Sequence, residues 1–142
     1  MKISAKAEYA CLAVLELALR SRQPEPARLT DIAQPSGIPE RFLVQILQQL
    51  KGAGFVSSSR GAAGGYHLSV EPQEITLWEV IQAIEGPTEH HGDAESAAGG
   101  PRDVLNRVWN EINERENEIL RNTNFAQLVE QVLYPETIMY YI

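Results

Sequence analysis

Only one cysteine, Cys11, occurs in the 142-residue chain, so no disulfide can close within it. A reducing, cytoplasmic setting is the simplest reading. No apolar run approaches the ~20 residues that a membrane-crossing helix needs. The N-terminus is an amphipathic run and not a basic segment followed by a purely apolar one, so a secretory signal is not expected either. Histidine is also scarce: His67, His90 and His91 stand in no Gly-x-Ser-x-Gly or comparable setting, which argues against a hydrolase. Bases are outnumbered, with 12 Lys and Arg against 19 Asp and Glu and a net charge of -7. Taken over the whole chain, that shortage weighs against nucleic acid, because phosphate contacts demand Lys and Arg.

The distribution of charge reverses the inference. Residues 1–70 hold eight Lys and Arg against five acids, net +3, whereas the remainder holds four against fourteen, net -10. Such a split suggests a basic binding half joined to an acidic half that faces solvent or a partner protein, although it also serves solubility alone. The length suits one compact domain with an appended element.

Local patterns give the organisation. Ser4 is suited to cap a helix in which Ala7, Ala10, Cys11, Val14, Leu17 and Ala18 recur at three- and four-residue spacing as far as Arg20. Gln23-Pro24-Glu25-Pro26 ends it, Thr30 is placed to cap a short helix through Ile32 and Ala33, and Pro35-Ser36-Gly37 forces a turn. Pro39 fits the first position of the next helix, whose buried stripe is Phe42, Leu43, Ile46, Leu47 and Leu50. Short helix, tight turn and second helix make a helix-turn-helix. Glu40, Arg41, Val44, Gln45, Gln48 and Lys51 are left on or beside its outer surface. Gly52 and Gly54 then stop the helix, and Phe55-Val56-Ser57-Ser58 and Tyr66-His67-Leu68-Ser69-Val70 alternate like paired strands around a glycine-rich loop bearing Arg60. A protruding helix followed by a basic hairpin is suited to reading one DNA groove and clamping the next.

Thr76-Leu77-Trp78-Glu79 is a capping box, predicting a helix that buries Leu77, Val80, Ile81 and Ile84 and stops at Gly86-Pro87. Residues 88–101, rich in Gly, Ala, Ser and Glu, read as a connector. From Arg102 to about Asn122 a long helix is expected, interrupted in the middle by Arg115 and Glu116, with Val104, Leu105, Val108, Trp109, Ile112, Ile119 and Leu120 marking one face. So narrow a stripe has little to pack on within one small domain, and dimerisation is its natural use. A final short helix (Phe125, Leu128, Val129, Val132, Leu133) leads to the apolar tail Ile138-Met139-Tyr140-Tyr141-Ile142. The expected fold class is therefore mainly α. It is a winged helix-turn-helix with a two-stranded wing and a long C-terminal dimerisation helix, divided into residues 1–86, a connector at 87–101, and residues 102–142.

Particular residues follow from groove chemistry. Arg41 can donate two bonds to guanine O6 and N7, and Gln45, one turn later, can pair with adenine N6 and N7. The competing reading of either residue is a solvated helix face. Gln48 and Lys51, together with Ser4, Lys6 and Tyr9 if the first helix abuts the backbone, are suited to phosphate. Arg60, with Ser58 and Ser59 before it, can enter a narrowed minor groove, against the alternative of an ordinary hairpin loop. Gly61, Gly64 and Gly65 serve turn geometry; they precede a strand and lack the Lys-Ser/Thr ending of a phosphate loop. His90 and His91 are adjacent and without a third ligand nearby, which favours an exposed pair over a metal site. Trp78 and Trp109 suit the core and the dimer interface, and Cys11 suits an inert small core residue.

Several stretches together resemble the Rrf-two family of winged-helix transcription regulators. They are Ser4, Lys6, Tyr9 and Ala10; Leu29, Ile32 and Ala33; Ile38-Pro39 with Phe42-Leu43 and Leu47; Ser58-Ser59-Arg60-Gly61 with Gly64-Gly65-Tyr66; and Ile75-Thr76 with Val80-Ile81 and Ile84. The resemblance is close over residues 1–86 and covers the rest in layout, with Arg-Gly-x-x-Gly-Gly-Tyr its most specific motif. It implies a homodimer on a palindromic operator, with the reading helix, including Pro39 and Glu40 at its start, in the major groove and the long helix crossing between subunits. Cluster-binding members carry three cysteines in the connector, where this chain has none. A family-style iron-sulfur cluster is therefore not expected, nor any other cofactor or metal. In that respect the chain is similar to the cysteine-metabolism repressor, which senses through a partner protein or metabolite. The expected partners are thus double-stranded DNA, a second copy, and a regulatory protein or small-molecule effector, with no membrane and no enzymatic activity. The alternative is a protein-interaction adaptor on a winged-helix scaffold.

Overall fold

Small side chains at helical spacing determine how the first helix sits. The computed structural model describes residues 2–86 and 98–135, and in it α1 spans Ala5–Leu19 with the Ala7 amide donating to Ser4 Oγ at 3.1 Å. Ala7, Ala10, Ala13, Val14, Leu17 and Ala18 are buried, so α1 runs through the middle of the molecule with other helices packed closely around it. Helix α2 (Leu29–Ser36) starts one residue before Thr30, which does not cap it: the backbone N–H of Arg28 donates to Asp31 Oδ2 at 3.0 Å. Pro35 and Ser36 belong to the helix and not to the turn. The stop falls on Gly37, whose φ of 66° is the left-handed conformation that glycine adopts without steric cost.

Helix α3 spans Glu40–Gly52, directly after Pro39, whose carbonyl accepts from the Phe42 and Leu43 amides at 3.1 and 3.0 Å. Leu43, Ile46, Leu47 and Leu50 are buried as the spacing predicts. Phe42 is not: it is 37% exposed, with its ring stacked on Tyr9 of α1 at a centroid distance of 6.3 Å. The hairpin is β1 (Val56–Ser59) and β2 (Gly65–Leu68), antiparallel, with Val56 opposite Leu68 and Ser59 opposite Gly65. A third segment supports it, because Ala27 and Tyr66 exchange both backbone hydrogen bonds, at 2.8 and 2.7 Å. Gly65 makes this approach possible, since a Cβ there would lie 2.5 Å from the Ala27 carbonyl oxygen.

After a short 3-10 turn at Pro72–Glu74, α4 (Leu77–Glu85) begins with the expected capping box: the Glu79 amide donates to Thr76 Oγ1 at 3.2 Å and the Thr76 amide to Glu79 Oε1 at 3.3 Å. Helix α5 (Pro101–Asn122) is continuous, so Arg115 and Glu116 do not break it. Arg115 instead pairs with Glu111 one turn back, at 3.2 Å. Helix α6 (Phe125–Leu133) then returns to the core. The amides of Leu77 and Phe125 donate to the carbonyls of Thr123 and Ile75, at 3.0 and 3.1 Å, and the Phe125 side chain is fully buried in the cluster to which α1, α2, α3 and α4 contribute. The core of the N-terminal half is therefore completed by a residue from the C-terminal segment.

Candidate nucleic-acid interface

The outer face of α3 carries the side chains that groove chemistry selects. Glu40, Arg41, Val44, Gln45, Gln48 and Lys51 are all exposed and, at 100° per residue, fall within an arc of roughly 140°. The Arg41 guanidinium lies over the Phe42 ring, 4.9 Å from its centroid, and Phe42 in turn rests on Tyr9. Tyr9 and Phe42 thus form a platform that restricts Arg41 before any ligand arrives. Ser4 is occupied as a helix cap, and its amide donates to Glu85 Oε1 at 3.0 Å. Lys6 lies half-buried two residues further on.

Lys51 has a role that its position in the sequence did not reveal. Its Nζ donates to Ser58 Oγ at 2.8 Å, which ties the end of α3 to the first wing strand. The wing is held from the other side by Arg28, whose Nη2 donates to the Ala62 carbonyl at 3.0 Å. Arg28 was missed because its partner is a backbone carbonyl far along the chain, which leaves no mark in local pattern. Arg60 follows β1 at the wing turn and is exposed, as are Ser58 and Ser59. Gly61, at φ 101°, and Gly64, where a Cβ would fall on the Ser59 carbonyl, set the turn. The structure therefore brings α3 and the wing into one connected surface in the basic half of the chain.

The apolar stripe on α5 divides in two. Val104, Leu105, Val108, Trp109, Ile112 and Ile119 are exposed, each by 44% or more. Leu120, expected on the same pairing face, is instead buried within the chain against Ala7 and Ile81. Beside it the Arg121 guanidinium covers the half-buried Trp78 ring, 4.6 Å from the centroid. The two residues at this end of α5 therefore fasten it to α4 and α1.

Helix-turn-helix, wing and protruding helix together define a winged-helix transcriptional regulator. The chain belongs to the Rrf2 family, whose model, described as "Iron-dependent Transcriptional regulator", matches residues 3–131. The HTH-type transcriptional regulator IscR of Serratia proteamaculans is 36% identical over 132 residues, covering 91% of this chain and 79% of that protein. IscR of Aliivibrio salmonicida is 35% identical over 132 residues, covering 91% and 77%. Among solved structures, CymR (YrzC), the global cysteine regulator of B. subtilis, superposes with a TM-score of 0.77 at 33% identity, covering 92% of this chain and 97% of that one. IscR of T. potens gives 0.75 at 29% identity, covering 93% and 88%.

The family's iron dependence can be tested against the donors present. The chain's one thiol, Cys11, sits on α1 among core side chains. Burial, then the negative charges of Glu8 and Glu85, push its pKa up to about 12, which opposes the thiolate that iron requires. Among the described residues no three His, Cys, Asp or Glu side chains are grouped to hold a metal ion; His90 and His91 lie outside them. These donors do not fit a thiolate-ligated cluster. Because the folded thiol holds its proton more tightly than the unfolded one, its contribution to stability is complete below the ordinary value of 9.0 and fades as pH rises toward 12. Cys11 is therefore expected to resist iodoacetamide at pH 8 in the native protein and to react readily in denaturant. Equal alkylation rates in the two conditions, followed by mass spectrometry, would contradict this.

Proposed function

We propose that the chain is a homodimeric, cytoplasmic repressor that binds a palindromic operator without an iron-sulfur cluster. Helix α3 reads the major groove through Arg41 and Gln45, with Pro39 and Glu40 at the groove edge and Gln48 and Lys51 toward phosphate. Arg60, flanked by Ser58 and Ser59, enters the minor groove, and Ser4, Lys6 and Tyr9 lie against the backbone. Its signal comes from a regulatory protein or a small-molecule effector. No reaction is assigned to it.

One observation carries this reading: the exposed polar face of α3 is joined to the basic wing by the Lys51–Ser58 hydrogen bond. A helix in one groove and a wing in the next must keep a fixed separation, and a direct tie between them supplies it. The second copy is supported by the exposed apolar stripe of α5, too large a patch to leave in water.

Binding of duplex fragments selected from random sequence tests the proposal. Contact with about six to ten phosphates predicts a loss of roughly 10³–10⁵ in affinity between about 50 and 200 mM salt. An adaptor that recognises only protein would show no such slope. Arg60→Ala is expected to weaken the selected duplex by about 1–3 kcal/mol while leaving the oligomeric state unchanged. Undiminished affinity at fixed salt would remove Arg60 from the interface.

A further inference from the structure

Val44 is the one apolar side chain on the reading face of α3, and it is 40% exposed. Arg41, one turn before it, and Gln48, one turn after it, lie on the same side of the helix, with Gln45 beside it. Core packing does not account for its placement, since Leu43, Ile46, Leu47 and Leu50 form the buried side. If α3 enters the major groove, Val44 is pressed against base edges with no hydrogen-bonding atom to offer them. Opposite the amino group of cytosine or adenine it would strip water from a donor and return nothing. The major groove displays one apolar group, the C5-methyl of thymine. Valine is well suited to it, because a β-branched side chain in a helix holds essentially one rotamer and loses little freedom on contact.

Resting on the DNA-binding reading above, we infer that Val44 is a specificity-determining residue that recognises a thymine methyl in the operator. Removing one methyl from such a contact corresponds to about a four-fold loss of affinity per reading helix.

Deoxyuridine isolates that methyl, since it pairs like thymidine and lacks only this group. Selected duplexes would be rebuilt with each dT replaced in turn by dU and titrated with the full-length wild-type chain, Val44→Ala and Val44→Thr. Val44 is exposed, so both variants are expected to keep the wild-type melting temperature. The wild type should lose about four-fold at one thymine per reading helix, Val44→Thr should retain that loss because it keeps a Cγ methyl at the same reach, and Val44→Ala, shortened by both Cγ methyls, should lose clearly less than the wild type at that thymine. A flat dU profile on a duplex that is bound, or a loss that persists undiminished in Val44→Ala, would overturn this inference and leave DNA binding intact. Failure to retain any duplex at low salt would overturn both.

Discussion

Phe125→Ala should remove about 3–5 kcal/mol of folding stability, a large share of the roughly 5–15 kcal/mol typical of a domain. Phe125 is the bulkiest fully buried side chain among the described residues, and it belongs to the cluster to which α1, α2, α3 and α4 contribute although it lies on α6. Truncation would leave a cavity that α-helices already in close contact cannot collapse to fill. It would also loosen the strand-like exchange in which Phe125 and Leu77 donate to Ile75 and Thr123, the connection that fixes where α5 ends. Urea unfolding followed by circular dichroism would read the effect as a lower midpoint at unchanged slope. A loss below about 1 kcal/mol would mean that α6 is dispensable to the core, unlike buried aromatics elsewhere. Leu133→Ala on the same helix is the control, because Leu133 is 58% exposed and should cost little.

Trp109→Glu should dissociate the proposed dimer and, by removing the second reading surface, weaken operator binding by about 10²–10⁴-fold. Leu105, Val108, Ile112 and Ile119 follow the alternating three- and four-residue spacing of a coiled-coil seam, interrupted where Arg115 pairs with Glu111. Trp109 adjoins that seam and is 52% exposed, so the substitution strikes the pairing surface and spares the subunit's own core. A buried, unpartnered carboxylate in an apolar interface is strongly unfavourable, whereas the same group on a free helix is merely hydrated. Sedimentation equilibrium should show the mass of one chain with an unchanged circular dichroism spectrum. A variant that still sediments as a pair would place the contact elsewhere.

Arg60→Ala and Trp109→Glu thus separate two ways of losing affinity. The first should act at the DNA surface with pairing intact, and the second through pairing with the wing intact. Lys51 and Arg28 stand between these cases, since each fixes the wing from within the same chain. Both hydrogen bonds hold the wing in place, as the proposed two-groove contact requires.

Local chemistry was the readable part of this chain. Ser4, Gly37 and Thr76-Leu77-Trp78-Glu79 mark helix ends because caps are satisfied by residues two or three positions away, and the spacing of Leu43, Ile46, Leu47 and Leu50 marks a buried face because helical geometry is itself local. The same logic puts Arg41 and Gln45 on the solvent-exposed face of α3. What it could not supply was the partner of each apolar face. Leu120 and Ile119 are adjacent in one stripe, yet Leu120 is buried on α1 and α4 while Ile119 remains 65% exposed. Ala27, a single residue paired with Tyr66, is too short a strand to have a period, and Phe125 reads as one more apolar helix position until α6 folds back. Phe42 departs from its pattern for the same reason: its spacing belongs to the buried stripe, but the surface next to it is Tyr9 and not the core. Sequence alone determined the Ser4 and Thr76 caps, the buried stripe of α3, the wing motif and a donor set with a single cysteine. Tertiary structure decided which faces meet, because burial depends on contacts between residues far apart in the chain that no local pattern encodes.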